Sequence, residues 1–311
     1  MQATQDIQID TNLYSRQIGT FGMEAMGKLI KLKVLIVGMR GLGVEIAKNL
    51  ILAGPAQVDI FDPTIVRVND LGSNFYLRES HIGATTRAEA SVHQLRELNN
   101  YVQVNTISTL TVEDHANYNV VCYTENFNGF AHLEEVDLFC RSKNIGFIVT
   151  ETLGLLGYAF VDYGENHKIF DHDGEVTKSF MVVSISNEDK ATITVHEDKR
   201  HSYQEGDFVT FSEVEGLLPE INGGKPVEIV NVKGPYAFQI ALNTTEWPAY
   251  SRQGLVQNVK VPRFSKFHSL RESYTNPAAS SPDGMLITPD LRNWGRSDHL
   301  HVALRAIHAF H

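Results

Sequence analysis

Residues 33–37 (Lys-Val-Leu-Ile-Val) form a short apolar run that breaks at Gly38-Met39-Arg40-Gly41-Leu42-Gly43. Its length and β-branching predict a buried parallel strand rather than a helix. Beyond the glycines, Leu42, Ile46 and Leu50 recur at every fourth position, with Glu45, Lys48 and Asn49 between them. That spacing predicts an amphipathic helix of about three turns, which Ala53-Gly54-Pro55 then stops. Val58-Asp59-Ile60-Phe61 predicts a second strand that delivers Asp62 at its carboxyl end. Strand, helix and strand in this order make a parallel sheet with helices on both faces.

The alternation continues with a helix over 87–100, strands at 102–107 and 119–123, a helix over 130–143 and a buried strand at 146–150. Residues 158–163 read as a strand in an antiparallel or edge position. From about 176 the pattern changes to short alternating strands, such as 181–185 and 191–195, with turn signals at Asn187-Glu188-Asp189 and Asn222-Gly223-Gly224. Regular short strands without helical periodicity up to 262 predict a small all-β module. The segment 263–311 is polar and contains Pro and Ser until Leu300–Ile307, which is helical. That pattern is still running at His311, which leads to the expectation of a piece of a longer protein. The predicted organisation is an α/β region over 1–175, an all-β module over 176–262 and a helical segment over 263–311.

Composition narrows the function classes. With 37 acidic and 27 basic side chains, the net charge is −10, against the clustered Lys and Arg that duplex DNA or an anionic membrane surface requires. Nucleic acid and membrane are therefore not expected as partners. A hydrophobic fraction of 42% supplies real cores. The longest uncharged apolar stretch, Leu153 to Val161, is about half of the ~20 residues a spanning helix needs. The N-terminal MQATQDIQID lacks the basic and apolar regions of a signal peptide, so the expectation is a soluble intracellular protein. Two cysteines, Cys122 and Cys140, can build neither a disulfide framework nor a zinc site, and read as buried, inert thiols. Asp171-His172-Asp173 and His299-Leu300-His301 match no standard metal spacing and read as solvated turns and helix faces. His196–His201 reads as a charged turn.

The candidate chemistry lies at the first strand–helix turn. A nucleotide-binding turn needs Gly-x-Gly-x-x-Gly, because its second glycine admits the phosphates to the backbone. Here Gly38 and Gly43 hold the first and last positions, Gly41 is retained beside them, and Arg40 stands at the second glycine. Asp62 is the acidic residue expected about 20 residues on for ribose hydroxyls. Three readings remain open at this point: a nucleotide site using Arg40 as a contact, a degenerate site that keeps the fold, or a purely structural turn.

Further segments carry a resemblance. Leu13-Tyr14-Ser15-Arg16-Gln17-Ile18, the stretch Gly38 to Leu52, Asp70-Leu71-Gly72-Ser73-Asn74-Phe75-Tyr76-Leu77-Arg78, Gly206–Val214 and Lys233-Gly234-Pro235-Tyr236 together resemble the N-terminal half of ubiquitin-activating enzymes. The resemblance implies a Rossmann-like inactive adenylation domain over 1–175, the first catalytic-cysteine half-domain over 176–262, and the start of a four-helix bundle over 263–311. It implies an ATP- and Mg2+-dependent enzyme that adenylates the C-terminus of ubiquitin and forms a thioester for transfer to conjugating enzymes. Those conjugating enzymes would dock on domains outside this sequence. This chain would supply the inactive half of a pseudo-dimer with the active adenylation half, and would by itself bind neither ATP nor Mg2+. The family's active domains carry an Asn-x-Asn-Arg-Gln-like segment where Gly72, Ser73 and Asn74 stand here, a lysine where Arg87 stands, and a magnesium-binding aspartate where Glu125 stands. Arg16 matches the arginine that reaches in trans to the ATP phosphates of the active half. The resemblance also implies a cytoplasmic and nuclear location. Two alternatives are the non-catalytic subunit of a SUMO-type activating enzyme and a free-standing NAD-dependent oxidoreductase.

Overall fold

The computed structural model describes residues 10–217, 219–276 and 297–310, in two units: Met1–His167 with Ser265–His311, and Lys168–Phe264. The first unit is built on β1 (Lys33–Val37), β2 (Gln57–Phe61), β3 (Gln103–Ile107), β4 (Val120–Tyr123), β5 (Gly146–Leu153) and β6 (Leu156–Asp162), in the spatial order β3-β2-β1-β4-β5-β6. The first five pair in parallel, and β6 closes the edge antiparallel to β5. Alternating residues of β1 feed two cores. Val34 and Ile36 pack with Val44, Ile51, Val58 and Leu95, whereas Leu35 and Val37 pack with Val121, Leu133, Val136 and Phe147. Burial on both faces is why β1 reads as a continuous apolar run.

The helices of this unit are α1 (Ser15–Leu29), α2 (Gly41–Ala53), α3 (Arg87–Glu97) and α4 (Phe130–Lys143). The last coincides with its predicted range. α3 stops short of the expected Asn100, because the Asn99 side chain leaves the helix to donate to the Ile51 carbonyl (3.0 Å) and the Tyr14 hydroxyl (3.1 Å). An asparagine that can bond neighbouring backbone competes with helix continuation. α1 had no counterpart in the periodicity; it is kinked at Gly22, whose φ is 80°.

The second unit is a closed barrel. The short strand β7 (His167–Ile169) leads into β8 (Ser179–Ile185), β9 (Thr192–Val195), β10 (Phe208–Ser212), β11 (Val227–Gly234), β12 (Ala237–Ile240) and β13 (Leu255–Val259), and β14 (Arg263–Ser265) follows and pairs with β7. β8–β13 close in the order β10-β11-β12-β9-β8-β13 with every neighbour antiparallel. Closure leaves no unpaired edge. Ile193, Val209, Ile229, Phe238, Ile240 and Val256 fill the interior. A single 3-10 turn at Pro219–Asn222 is the one departure from strand and turn among its described residues. His201, expected in a charged turn, is instead buried with its ring 5.4 Å from Tyr203 and 5.1 Å from Phe238. Apolar ring faces on both sides outweigh the polarity of its neighbours in sequence.

Two C-terminal helices, α5 (Leu270–Thr275) and α6 (Ser297–Phe310), belong to the first unit. The Ser269 hydroxyl caps α5 by accepting the Glu272 amide. α6 seats through His308, whose Nε2 lies 3.0 Å from Glu151 Oε2 and whose ring packs among Phe130, Tyr158 and Tyr274. The N-terminal stretch 1–9 and the Pro- and Ser-containing stretch 277–296 lie outside the described residues. No described helix is long and apolar enough to cross a membrane.

Candidate functional site

The strand order reverses at β1, with β2 on one side and β4 on the other, so the carboxyl ends of these strands flank a topological switch point, the usual ligand crevice of such sheets. Gly38 leaves β1 with φ +99°, and a Cβ there would fall 2.6 Å from Thr124 Oγ1. Thr124 follows β4 and donates its hydroxyl to the Gly38 carbonyl at 3.0 Å. Gly43 is tighter still, since a Cβ would sit 1.9 Å from the Gly38 carbonyl oxygen. The first and last glycines are thus needed for strand–helix packing, whatever the ligand.

Asp62, at the end of β2, has both oxygens engaged. Oδ2 accepts the Met39 amide at 2.8 Å and Oδ1 accepts the Thr64 amide at 2.9 Å. Arg87, at the start of α3, adds an ion pair of 2.8 Å from Nε to Asp62 Oδ2. It also pairs with Asp70 (3.3 Å) and Glu125 (2.7 Å) while only 1% exposed. Arg40 completes the set, with Nε 2.6 Å from the other Glu125 oxygen. Two guanidiniums therefore face three carboxyl groups. Buried charge survives only when paired in this way. Burial above all, helped by the Asp62 charge, pushes Glu125 up to about 7, against the pull of Arg87 and Arg40.

Where the resemblance expects asparagine, arginine and glutamine, Gly72 and Ser73 are exposed and only Asn74 packs inward. Asn74 is fully buried and donates to the Met39 carbonyl at 2.9 Å and to Ser91 Oγ at 3.0 Å. Ser73 stands beside Gly41, where an added Cβ would meet its side chain at 3.2 Å. Asp70 and Thr124 are parts of the site that sequence reasoning assigned no role. Asp70 opens the segment 70–78, but nothing in its spacing announces a partner seventeen positions later.

Arg16 is not brought to this loop. It is exposed on the first turn of α1, next to Tyr14, which packs on Gly54 at the opposite end of α2, about 20 Å along that helix. A cavity of about 330 Å³ lies there, lined by Leu13, Tyr14, Gln17, Leu52, Asn99 and Tyr101 among others. Cys122 and Cys140 are buried, and burial pushes each thiol up to about 12, so neither is a thiolate near neutrality. Asp171, His172 and Asp173 bring their ligand atoms within 4.8 Å of one another, but Lys260 already pairs with both aspartates. His301 Nε2 lies 2.9 Å from the Tyr274 carbonyl; the His299 side chain lies outside those described.

A parallel sheet with a glycine turn at its switch point, followed by an antiparallel barrel, defines the class: a nucleotide-type α/β domain with an appended β module. The chain belongs to the ThiF family, whose model matches residues 14–186. Residues 188–260 match the ubiquitin-activating enzyme E1 FCCH domain, and residues 261–311 match the ubiquitin-activating enzyme E1 four-helix bundle. Ubiquitin-activating enzyme E1 2 of Arabidopsis thaliana is 40% identical over 306 residues, covering 97% of this chain and 27% of the relative. Ubiquitin-like modifier-activating enzyme 1 of Homo sapiens is 40% identical over 309 residues, covering 98% of this chain and 28% of the relative. Ubiquitin-activating enzyme E1 1 of Triticum aestivum is 39% identical over 306 residues, with 97% and 28% covered. The chain thus spans little more than a quarter of the length of these relatives, and over nearly all of its own length it is similar to part of a ubiquitin-activating enzyme.

Proposed function

We propose that the chain is the N-terminal part of a ubiquitin-activating enzyme and acts there as the non-catalytic half of a paired adenylation unit. In this reading the whole protein uses ATP and Mg2+ to adenylate ubiquitin, forms a thioester on a cysteine elsewhere, and passes ubiquitin to conjugating enzymes. The observation that carries the non-catalytic assignment is the Arg87 network. The residues at the turn do not fit a nucleotide: Asp62 is spent on backbone amides and Arg87, and Glu125, the candidate magnesium ligand, is held by two arginines. A single engaged carboxylate is a poor magnesium site. The cradle for phosphate is filled by the chain's own charges.

Arg16 supports the second half of the reading. It is exposed beside a cavity whose Leu13, Leu52 and Tyr101 present apolar surface, away from the loop of its own domain. From there it would stabilise charge on the phosphates bound by the active half, as arginines supplied across an interface do. The match of residues 188–260 to the FCCH domain of ubiquitin enzymes favours ubiquitin over a SUMO-type partner. Arg40 at the phosphate-approach position disfavours a free-standing NAD-dependent oxidoreductase.

The test is Arg16→Ala in the full-length protein, followed by ubiquitin-dependent ATP–pyrophosphate exchange. A slowed exchange with folding intact is expected; an unchanged rate removes Arg16 from adenylation.

A further inference from the structure

A second buried charge cluster lies far from the glycine turn, in the same unit. Asp137 on α4 and Asp162 at the end of β6 are each 1% exposed, and their side chains are neighbours. Two bare carboxylates offer only acceptors and repel each other when buried side by side, and a proton on one of them relieves both problems. Asp137 Oδ1 is buried with no donor facing it, so a proton on the pair would satisfy it. Arg141, one turn along α4, places Nη1 2.5 Å from Asp162 Oδ2. The other Asp162 oxygen accepts the Gly164 amide at 2.6 Å.

The cluster also grips the segment that enters α5. Asp137 Oδ2 accepts the Leu270 amide at 2.8 Å, and Arg141 Nη1 donates to the Phe267 carbonyl at 3.2 Å. We propose that Asp137 and Asp162 share one proton and, with Arg141, form a pH-sensitive clasp on the segment leading into α5, closed while the proton is held and loosened when it leaves.

Charge counting sets the direction. With the proton in place, one buried negative charge faces the Arg141 guanidinium. Among the described residues the remaining neighbours supply no further buried cation. Glu165 is exposed and paired with Arg141 (2.6 Å) and Lys266 (2.9 Å). His268 faces Glu272 at 2.9 Å on the clasped segment itself. Cys140 on α4 stays a neutral thiol. Loss of the proton therefore puts a second negative charge in the interior without a partner, which is strongly unfavourable. Burial first, then the neighbouring Asp162, push Asp137 from 3.8 up to about 7, against the Leu270 amide and Arg141. Because the folded value is raised, the stabilisation is complete below about pH 4 and is lost as pH rises through 7. α4 is held by the core and β6 by its full ladder with β5. The 265–270 segment is held by Leu270 in the same core and by the Phe267 ring against Tyr163, and its bonds to Asp137 and Arg141 are the part of that hold that the lost proton weakens.

Asp137→Asn is the discriminating variant. Its amide keeps an acceptor for the Leu270 N–H and a donor for Asp162, and removes the titration. Thermal melts of the 311-residue chain from about pH 5 to pH 9 should show the wild type losing midpoint relative to the variant, with the variant the more stable above pH 8. Amide exchange over Leu270–Thr275, corrected for the intrinsic pH dependence, should rise several-fold in the wild type across that range and stay flat in the variant. If the variant does not fold, carbon-13 NMR of the wild-type aspartates decides: a carboxyl titrating above about pH 6 supports the clasp. Parallel pH profiles of the two proteins, or all aspartates titrating near 4, would overturn it.

Discussion

Arg87 Nη2 lies 2.7 Å from Glu125 Oε2, which ties the start of α3 to the end of β4 across the switch point of the sheet. The same guanidinium holds Asp62 at the end of β2. One buried arginine thus fastens together the ends of two strands and a helix, at the place where related sheets receive phosphate. In the proposed reading the interaction occupies the crevice and makes it a stability element of the domain.

Arg87→Met should therefore destabilise the chain by about 3–5 kcal/mol, because it strands buried carboxylates. Arg87→Lys should fall between, since a compact ammonium cannot engage three carboxyl groups at once. Urea unfolding of the purified chain measures both. A loss below about 1 kcal/mol for the Met variant would mean that the carboxylates are relieved by water.

Much of this architecture was legible in the sequence. β1 and α4 fall on their predicted ranges, β1 because its Val-Leu-Ile-Val run is buried on both faces of the sheet. The barrel was legible as a change from helical periodicity to short alternating strands. The N-terminal helix was not, since Gly19, Gly22 and Gly27 lower its helix propensity. At the site, Gly38, Gly43 and Asp62 were visible by spacing. What Asp62 does was not, because its partners, Met39, Thr64 and Arg87, meet it only through the fold. The same holds for Asp137 and Arg141, which look like the exposed face of α4 until β6 and the segment before α5 cover them.

Glu125 should confer a measurable pH dependence. Its folded value, about 7, lies above the ordinary 4.5, so the stability of the protonated form is complete below 4.5 and is lost as pH rises through 7. Relative to Glu125→Gln, the wild type should lose on the order of 1–3 kcal/mol across that window and change little above it. Denaturant midpoints at a series of pH values measure the difference. A constant difference would show that Arg40 and Arg87 keep Glu125 ionised throughout.

The glycine turn offers a paired comparison. Gly43→Ala drives a methyl group into the Gly38 carbonyl oxygen, at 1.9 Å, whereas Gly41→Ala meets Ser73 at 3.2 Å. The first should cost about 3 kcal/mol or more, and the second should stay within about 1 kcal/mol. Similar losses at both positions would show that the turn relaxes, and that its tightness is not what retains Gly43.

The central claim is that the chain's own charges fill the nucleotide crevice, and calorimetric titration of the 311-residue chain with ATP and Mg2+ tests it most directly. No saturable heat is expected, either for the wild type or for Arg40→Gly, because Arg87 still holds Asp62 and Glu125 when Arg40 is gone. Saturable binding in the micromolar range by the wild type would contradict the account.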